Sequence, residues 1–178
     1  MALTLKTDVT SEPVSLSEVK KHLRIDVADE DTLLEAYLTA AREHAQELTG
    51  RAFGSQVYTL TLPAFANGHL ALPRPPLVSV DSIMFYPPGA STAQAFSDYR
   101  VVNNSIEPVD GWPATAERGD AVEVEFTAGT PVPQRALVAI RELVALFEHH
   151  RVPVTQDGRP HLVPHQADRL LRGLRDWR

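Results

Sequence analysis

Cysteine is absent from the 178 residues, methionine occurs only twice, and aromatic residues make up 7%. Without thiols the chain has no disulfide staple, no thiolate metal site and no cysteine nucleophile, which fits a reducing compartment. No apolar run approaches the roughly 18 residues needed to cross a bilayer, so no membrane partner is expected. The opening Met1-Ala2-Leu3-Thr4-Leu5-Lys6 has no charged start followed by a long apolar stretch, so a secretory leader is not expected. Also missing are a G-x-S-x-G turn, a P-loop and a dinucleotide fingerprint. No catalytic residue and no cofactor is therefore expected.

Apolar residues make up 43% and charged residues 22%, enough for a packed core within one domain's length. The net charge of −6 argues against a protein that binds nucleic acid by neutralising phosphates. The charge is uneven. Residues 1–54 hold six Lys/Arg against ten Asp/Glu, and residues 55–130 hold three against eight. Residues 131–178 reverse the sign with eight arginines against five acids.

Ser15-Leu16-Ser17-Glu18 has the form of a capping box, and a short helix to about Arg24 follows it. Pro13 makes Glu12 extended. Asp29-Glu30-Asp31 precede a second helix, and Thr32 with Glu35 forms a second possible capping box. Leu34, Tyr37, Leu38, Ala41, Ala45 and Leu48 then recur at helical spacing, with Gly50 placed as a left-handed C-cap. From Gln56 the period changes to two, with Tyr58, Leu60 and Leu62 on one face. Asn67-Gly68 predicts a tight hairpin turn into residues 69–72. Strands follow at Val78–Tyr86, Tyr99–Val102 and Ala121–Thr127, the last with Val122, Val124 and Phe126 on one face. Helix returns after Pro133, with Leu137, Ile140, Leu143, Val144 and Phe147 in its stripe, and Pro153 stops it.

The expected fold is α+β: a small helical bundle of two long helices (32–49 and 133–150) and a short N-terminal one. A lobe of five or six short strands is inserted at about 55–130 in a helical core of residues 1–152. Residues 153–164 read as a proline-rich linker and 165–178 as a C-terminal docking helix.

Two metal readings are weak. Asp29, Glu30 and Asp31 lack the calcium-loop pattern and read as a solvated helix start. His149 and His150 point about 100° apart on a helix, Pro164 separates His161 from His165, and His22, His44 and His69 are scattered. A small enzyme using His149, His150, His161 or His165 is the least favoured function.

The C-terminal segment is the main functional candidate. Ala167, Leu170, Leu171, Leu174 and Trp177 fall at helical spacing, flanked by Arg169, Arg172, Arg175 and Arg178. A lone helix of this length is marginal in water unless it docks. It packs either on the chain's own core or in a partner's groove, and the long linker favours the partner.

Several stretches resemble tailed-phage head–tail connector (adaptor) proteins, including the related gene transfer agent adaptors. They are Glu12 to Arg24, Asp29-Glu30-Asp31, Ala40-Ala41-Arg42-Glu43, Leu48 to Ala52, Leu72 to Val80, Val124 to Thr130 with Val132-Pro133, His149-His150-Arg151, and Leu170 to Arg175. The resemblance lies in their order over nearly the whole chain. It implies a structural, non-enzymatic virion protein of the phage neck, assembled in the host cytoplasm. Such proteins form a ring, usually twelve-fold, under the portal, with DNA passing through the lumen without specific binding. The portal protein would take the C-terminal tail through Leu170, Leu171, Arg172, Leu174, Arg175, Trp177 and Arg178. A stopper or tail-completion protein would take the far face. The acidic body would then repel DNA phosphates. The alternative within the same particle is another neck protein, itself a stopper or tail-completion protein.

Overall fold

The computed structural model describes residues 1–149 and 165–176. The expected linker 153–164, His150, His161, Trp177 and Arg178 lie outside them. The fold is α+β, with four helices and two antiparallel sheets among the described residues. By internal contacts the chain divides into a β-unit, Met1–Val9 with Ser55–Thr130, and a helical unit, Thr10–Gly54 with the described part of Pro131–Arg178.

The β-unit is built on alternation. Strands β1 (Ala2–Thr7), β2 (Gln56–Leu62), β3 (Leu70–Ala71), β4 (Leu77–Phe85), β5 (Gln94–Ala95), β6 (Tyr99–Val102), β7 (Ser105–Pro108) and β8 (Val122–Ala128) form sheets ordered β1-β2-β8-β4-β5 and β3-β7-β6. Tyr58, Leu60 and Leu62 of β2 stand opposite Phe126, Val124 and Val122 of β8, and all six are buried. The Tyr58 and Phe126 rings stack at 5.7 Å, the close cross-strand pairing that fixes register. Ile83 and Phe85 of β4 face the same two valines of β8 from the other side.

Three features differ from the sequence expectation. The lobe at 55–130 has seven strands rather than five or six, two of them only two residues long. The residues before Glu12 include an edge strand, β1, paired antiparallel with β2, so this part of the chain belongs to the β-unit and not to the helical core. Leu3 and Leu5 alternate with Thr4 and Lys6 as a strand requires. Finally, Asn67-Gly68 does not join β2 to β3 as a hairpin, because β2 has β1 and β8 on its two edges and β3 pairs with β7. The turn is pinned instead by Trp112, whose Nε1–H donates to the Gly68 carbonyl at 2.7 Å while its ring stacks on Phe65 at 4.4 Å. The two-residue hairpin lies at Asn103-Asn104, between β6 and β7, with Asn103 at φ 55°.

The helical unit contains α1 (Leu16–Leu23), α2 (Asp31–Thr49), α3 (Gln134–His149) and α4 (His165–Arg172). The Ser15 capping box is present in both directions: Glu18 N–H donates to Ser15 Oγ at 3.3 Å and Ser15 N–H to Glu18 Oε2 at 3.0 Å. Val14 and Val19, at the two staple positions around this cap, are both buried in the helical core. The second capping box is not formed. Glu30 is the N-cap of α2 and makes no side-chain capping bond, and Asp31 pairs with Lys20 of α1 at 2.6 Å. At the other end of α2, Gly50 adopts φ 72° and its N–H donates to the Gln46 carbonyl. Leu34, Leu38, Ala41 and Ala45 of α2 meet Ala136, Ala139, Ile140, Leu143 and Val144 of α3 in one core.

Candidate docking surface

The C-terminal segment is where the strongest functional expectation meets the fold. Helix α4 is short, and its first-turn Asp168 pairs with Arg172 one turn on, at 2.6 Å. Ala167 is 0% and Leu171 1% exposed, inside the helical core, and Leu170 and Leu174 are half-buried against it. In this structure Ala167 and Leu171 sit in the chain's own core, with Leu170 and Leu174 packed against it. A tethered segment finds an apolar site on its own chain at modest loop-closure cost, which grows only slowly with tether length. A portal-docking role for Leu171 would require α4 to leave that site.

Beyond α4 the chain does further work. Leu174 N–H closes a turn onto the Leu171 carbonyl at 2.8 Å. Arg175 Nε then donates to the Leu48 carbonyl at 3.0 Å, and Asp176 N–H to the Thr49 carbonyl at 2.8 Å. These are last-turn carbonyls of α2, which have no partner inside the helix. Residues 175–176 thus complete the C-terminal cap of α2, well over a hundred residues away in sequence. A Cβ at Gly50 would meet Asp176 Cβ at an ordinary 3.8 Å, so it is the φ of 72° and not lack of space that favours glycine there. Gly50 read as a cap from the sequence, but no local signal announced its distant partners. Arg169, Arg172 and Arg175 remain exposed.

A second tie was also invisible in the sequence. Arg42 is 1% exposed, and its Nε donates to Glu12 Oε2 at 2.9 Å, while Thr39 Oγ1 donates to Glu12 Oε1 at 3.0 Å. The Glu12-Pro13-Val14 segment is clamped to α2 by this charge pair. Glu12 and Arg42 both lie in the stretches that carry the family resemblance, so part of that pattern is structural.

The outward face of the large sheet is acidic. Asp81, Glu123 and Glu125 lie there with Thr59 and Thr61, and Ser79 Oγ and Thr127 Oγ1 both donate to Asp81. Lys6 on β1 reaches Glu125 at 2.6 Å. That hydrogen bond outweighs a small desolvation effect and, with the charges of Glu125, Glu123 and Asp81, holds the Lys6 ammonium above its ordinary pKa.

Among the described residues the histidines lie on separate elements. His22 and His69 are exposed, His44 is half-buried on α2, His149 ends α3, and His165 begins α4. Among the described residues no three His, Asp or Glu side chains are grouped to hold a metal ion. No described helix is long and apolar enough to cross a membrane.

Residues 13–84 match the family described as phage gp6-like head-tail connector protein. The fold matches a chain in the neck of an empty gene transfer agent particle, computed with C6 symmetry. There the TM-score is 0.81 at 26% identity, covering 100% of this chain and 97% of that one. With the same coverage and 24% identity, the fold also matches chains from the virion of a native gene transfer agent particle, at TM-score 0.81, and from a native neck computed with C12 symmetry, at 0.78. A comparison with curated proteins returns no match. The matched family is structural and not enzymatic, and this chain is similar to it in sequence over residues 13–84 and similar in fold, over its full length, to a chain of a gene transfer agent neck.

Proposed function

We propose that the chain is the connector (adaptor) of a tailed phage or gene transfer agent particle, lying in the neck and forming a ring under the portal. The observation that carries this reading is full-length similarity to a chain of a gene transfer agent neck. A ring fits necks computed with C6 and C12 symmetry, and twelve copies is the larger of those two numbers. Packaged DNA passes through the lumen without specific binding, and the acidic composition supports a surface that repels phosphates. The far face receives a stopper or tail-completion protein, and assembly takes place in the host cytoplasm.

Within this reading the portal contact falls to the polar side and end of the C-terminal segment, Arg172, Arg175, Trp177 and Arg178. Leu170, Leu171 and Leu174 hold that segment in place. A dozen weak contacts on one portal give a strong collective attachment.

The test mixes the protein with portal-bearing heads and images them by electron microscopy. A collar below the portal is expected. A variant ending at Asp176 and carrying Arg172→Glu keeps the α2 cap and is expected to fold but not to decorate the heads. Normal decoration by that variant removes the tail assignment. Binding to tail tubes instead of heads replaces the connector with another neck protein.

A further inference from the structure

The helical unit carries two exposed surfaces of opposite charge. On α2, Leu33, Ala36, Ala40, Glu43 and Glu47 are all exposed, Leu33 at 38%. At 100° per residue these five fall within about 80° of arc, forming a ridge about 21 Å long. Two alanines at its middle leave the helix backbone open to close approach, and two glutamates occupy its C-terminal half. On the α3–α4 side, a surface groove is lined by Arg135, Gln166, Arg169 and Leu170. Arg135 and Arg169 are both exposed, and among the described residues neither they nor Glu43 and Glu47 have a hydrogen-bond or ion-pair partner.

We infer that the α2 ridge of one copy seats in the α3–α4 groove of the next copy, with Glu43 and Glu47 facing Arg135 and Arg169. The occupant is a second copy because this chain itself offers both signs of charge on one rigid set of helices. The ridge and groove are different surfaces, so the contact is head-to-tail, the kind that closes into rings or runs on as filaments. Apolar Leu33 and Leu170 supply burial, and the charges set orientation and exclude wrong pairings. The acidic first third and basic last third of the sequence then have a shared purpose. This inference rests on the ring reading above and names its subunit contact.

The absence of cysteine makes the test direct. Glu43→Cys and Arg169→Cys chains are mixed on portal-bearing heads, and alone at high concentration, under mild oxidation. A hybrid dimer is expected from the mixture, and a ladder of oligomers from a chain carrying both substitutions. Reversing one side, as Glu43→Arg/Glu47→Arg or Arg135→Glu/Arg169→Glu, is expected to lower ring yield about tenfold or more, and combining the two reversals to restore it. Rings at normal yield in both one-sided variants overturn this contact while the ring reading stands. Normal rings that fail to bind heads overturn it too, and give the groove to an acidic portal segment. If the unaltered protein forms no ring under either condition, the ring reading falls and this contact with it.

Discussion

The β-unit and the helical unit solve the same problem in different ways. The β-unit is organised around one central strand, β8, whose buried Val122, Val124 and Phe126 are paired by β2 on one side and β4 on the other. Its register follows from alternation, and a register slip would turn every apolar side chain outward. The helical unit has no such ladder. Its two long helices are closed by segments from far away: Glu12 to Val14 at one side and residues 165–176 at another. A sheet unit thus concentrates its stability at its centre, and this helical unit relies on straps.

Phe126→Ala tests the first half of that contrast. It removes a fully buried ring stacked on Tyr58, with an expected loss of about 4 kcal/mol in chemical denaturation. Leu171→Ala tests the second half, with an expected loss of about 3 kcal/mol, against about 0.5 kcal/mol or less for the exposed Arg172→Ala. Equal, small effects at 171 and 172 would remove α4 from the core and end the contrast. Glu12→Ala removes the carboxylate that the buried Arg42 Nε meets and is expected to cost about 2 kcal/mol, less than breaking a fully buried pair because Glu12 is partly exposed. Arg42→Met, which removes the charge, is expected to recover part of that loss in the Glu12→Ala background.

The smallest effect concerns the α1 cap. Ser15→Ala is expected to cost about 1 kcal/mol by thermal or urea unfolding. The Ser15 backbone N–H, then its hydroxyl, hold the Glu18 carboxyl below its ordinary value of 4.5. A carboxyl depressed on folding stabilises above its unfolded value, and that contribution fades as pH falls through the folded value. The gap between the two proteins is therefore expected to narrow on acidification below about pH 4. A gap that stays constant to low pH would detach Glu18 from the cap.

Much of the fold was legible in local pattern. The stripe in 34–48 and Gly50 predicted α2, Ser15 with Glu18 predicted the start of α1, and Val122, Val124 and Phe126 predicted the buried face of β8. Strand β1 has a local signal too, since Leu3 and Leu5 alternate with polar residues. The Asn67-Gly68 hairpin failed for another reason. A turn signal states that the chain can reverse there; it does not state that the strands on either side pair, and here both edges of β2 were already taken. The C-terminal helix is amphipathic in sequence, yet amphipathicity identifies a face to be covered without naming what covers it.

The sequence by itself determined the helices, the strand periods, the first cap and the split between acidic and basic thirds, because each depends on neighbours a few residues apart. Tertiary structure alone decided that Leu171 enters its own core, that Asp176 caps α2, that Glu12 neutralises Arg42, and that β3 joins β7. Each of those pairings links residues far apart in the sequence, and the free energy that selects them appears only when both partners meet and shed water together.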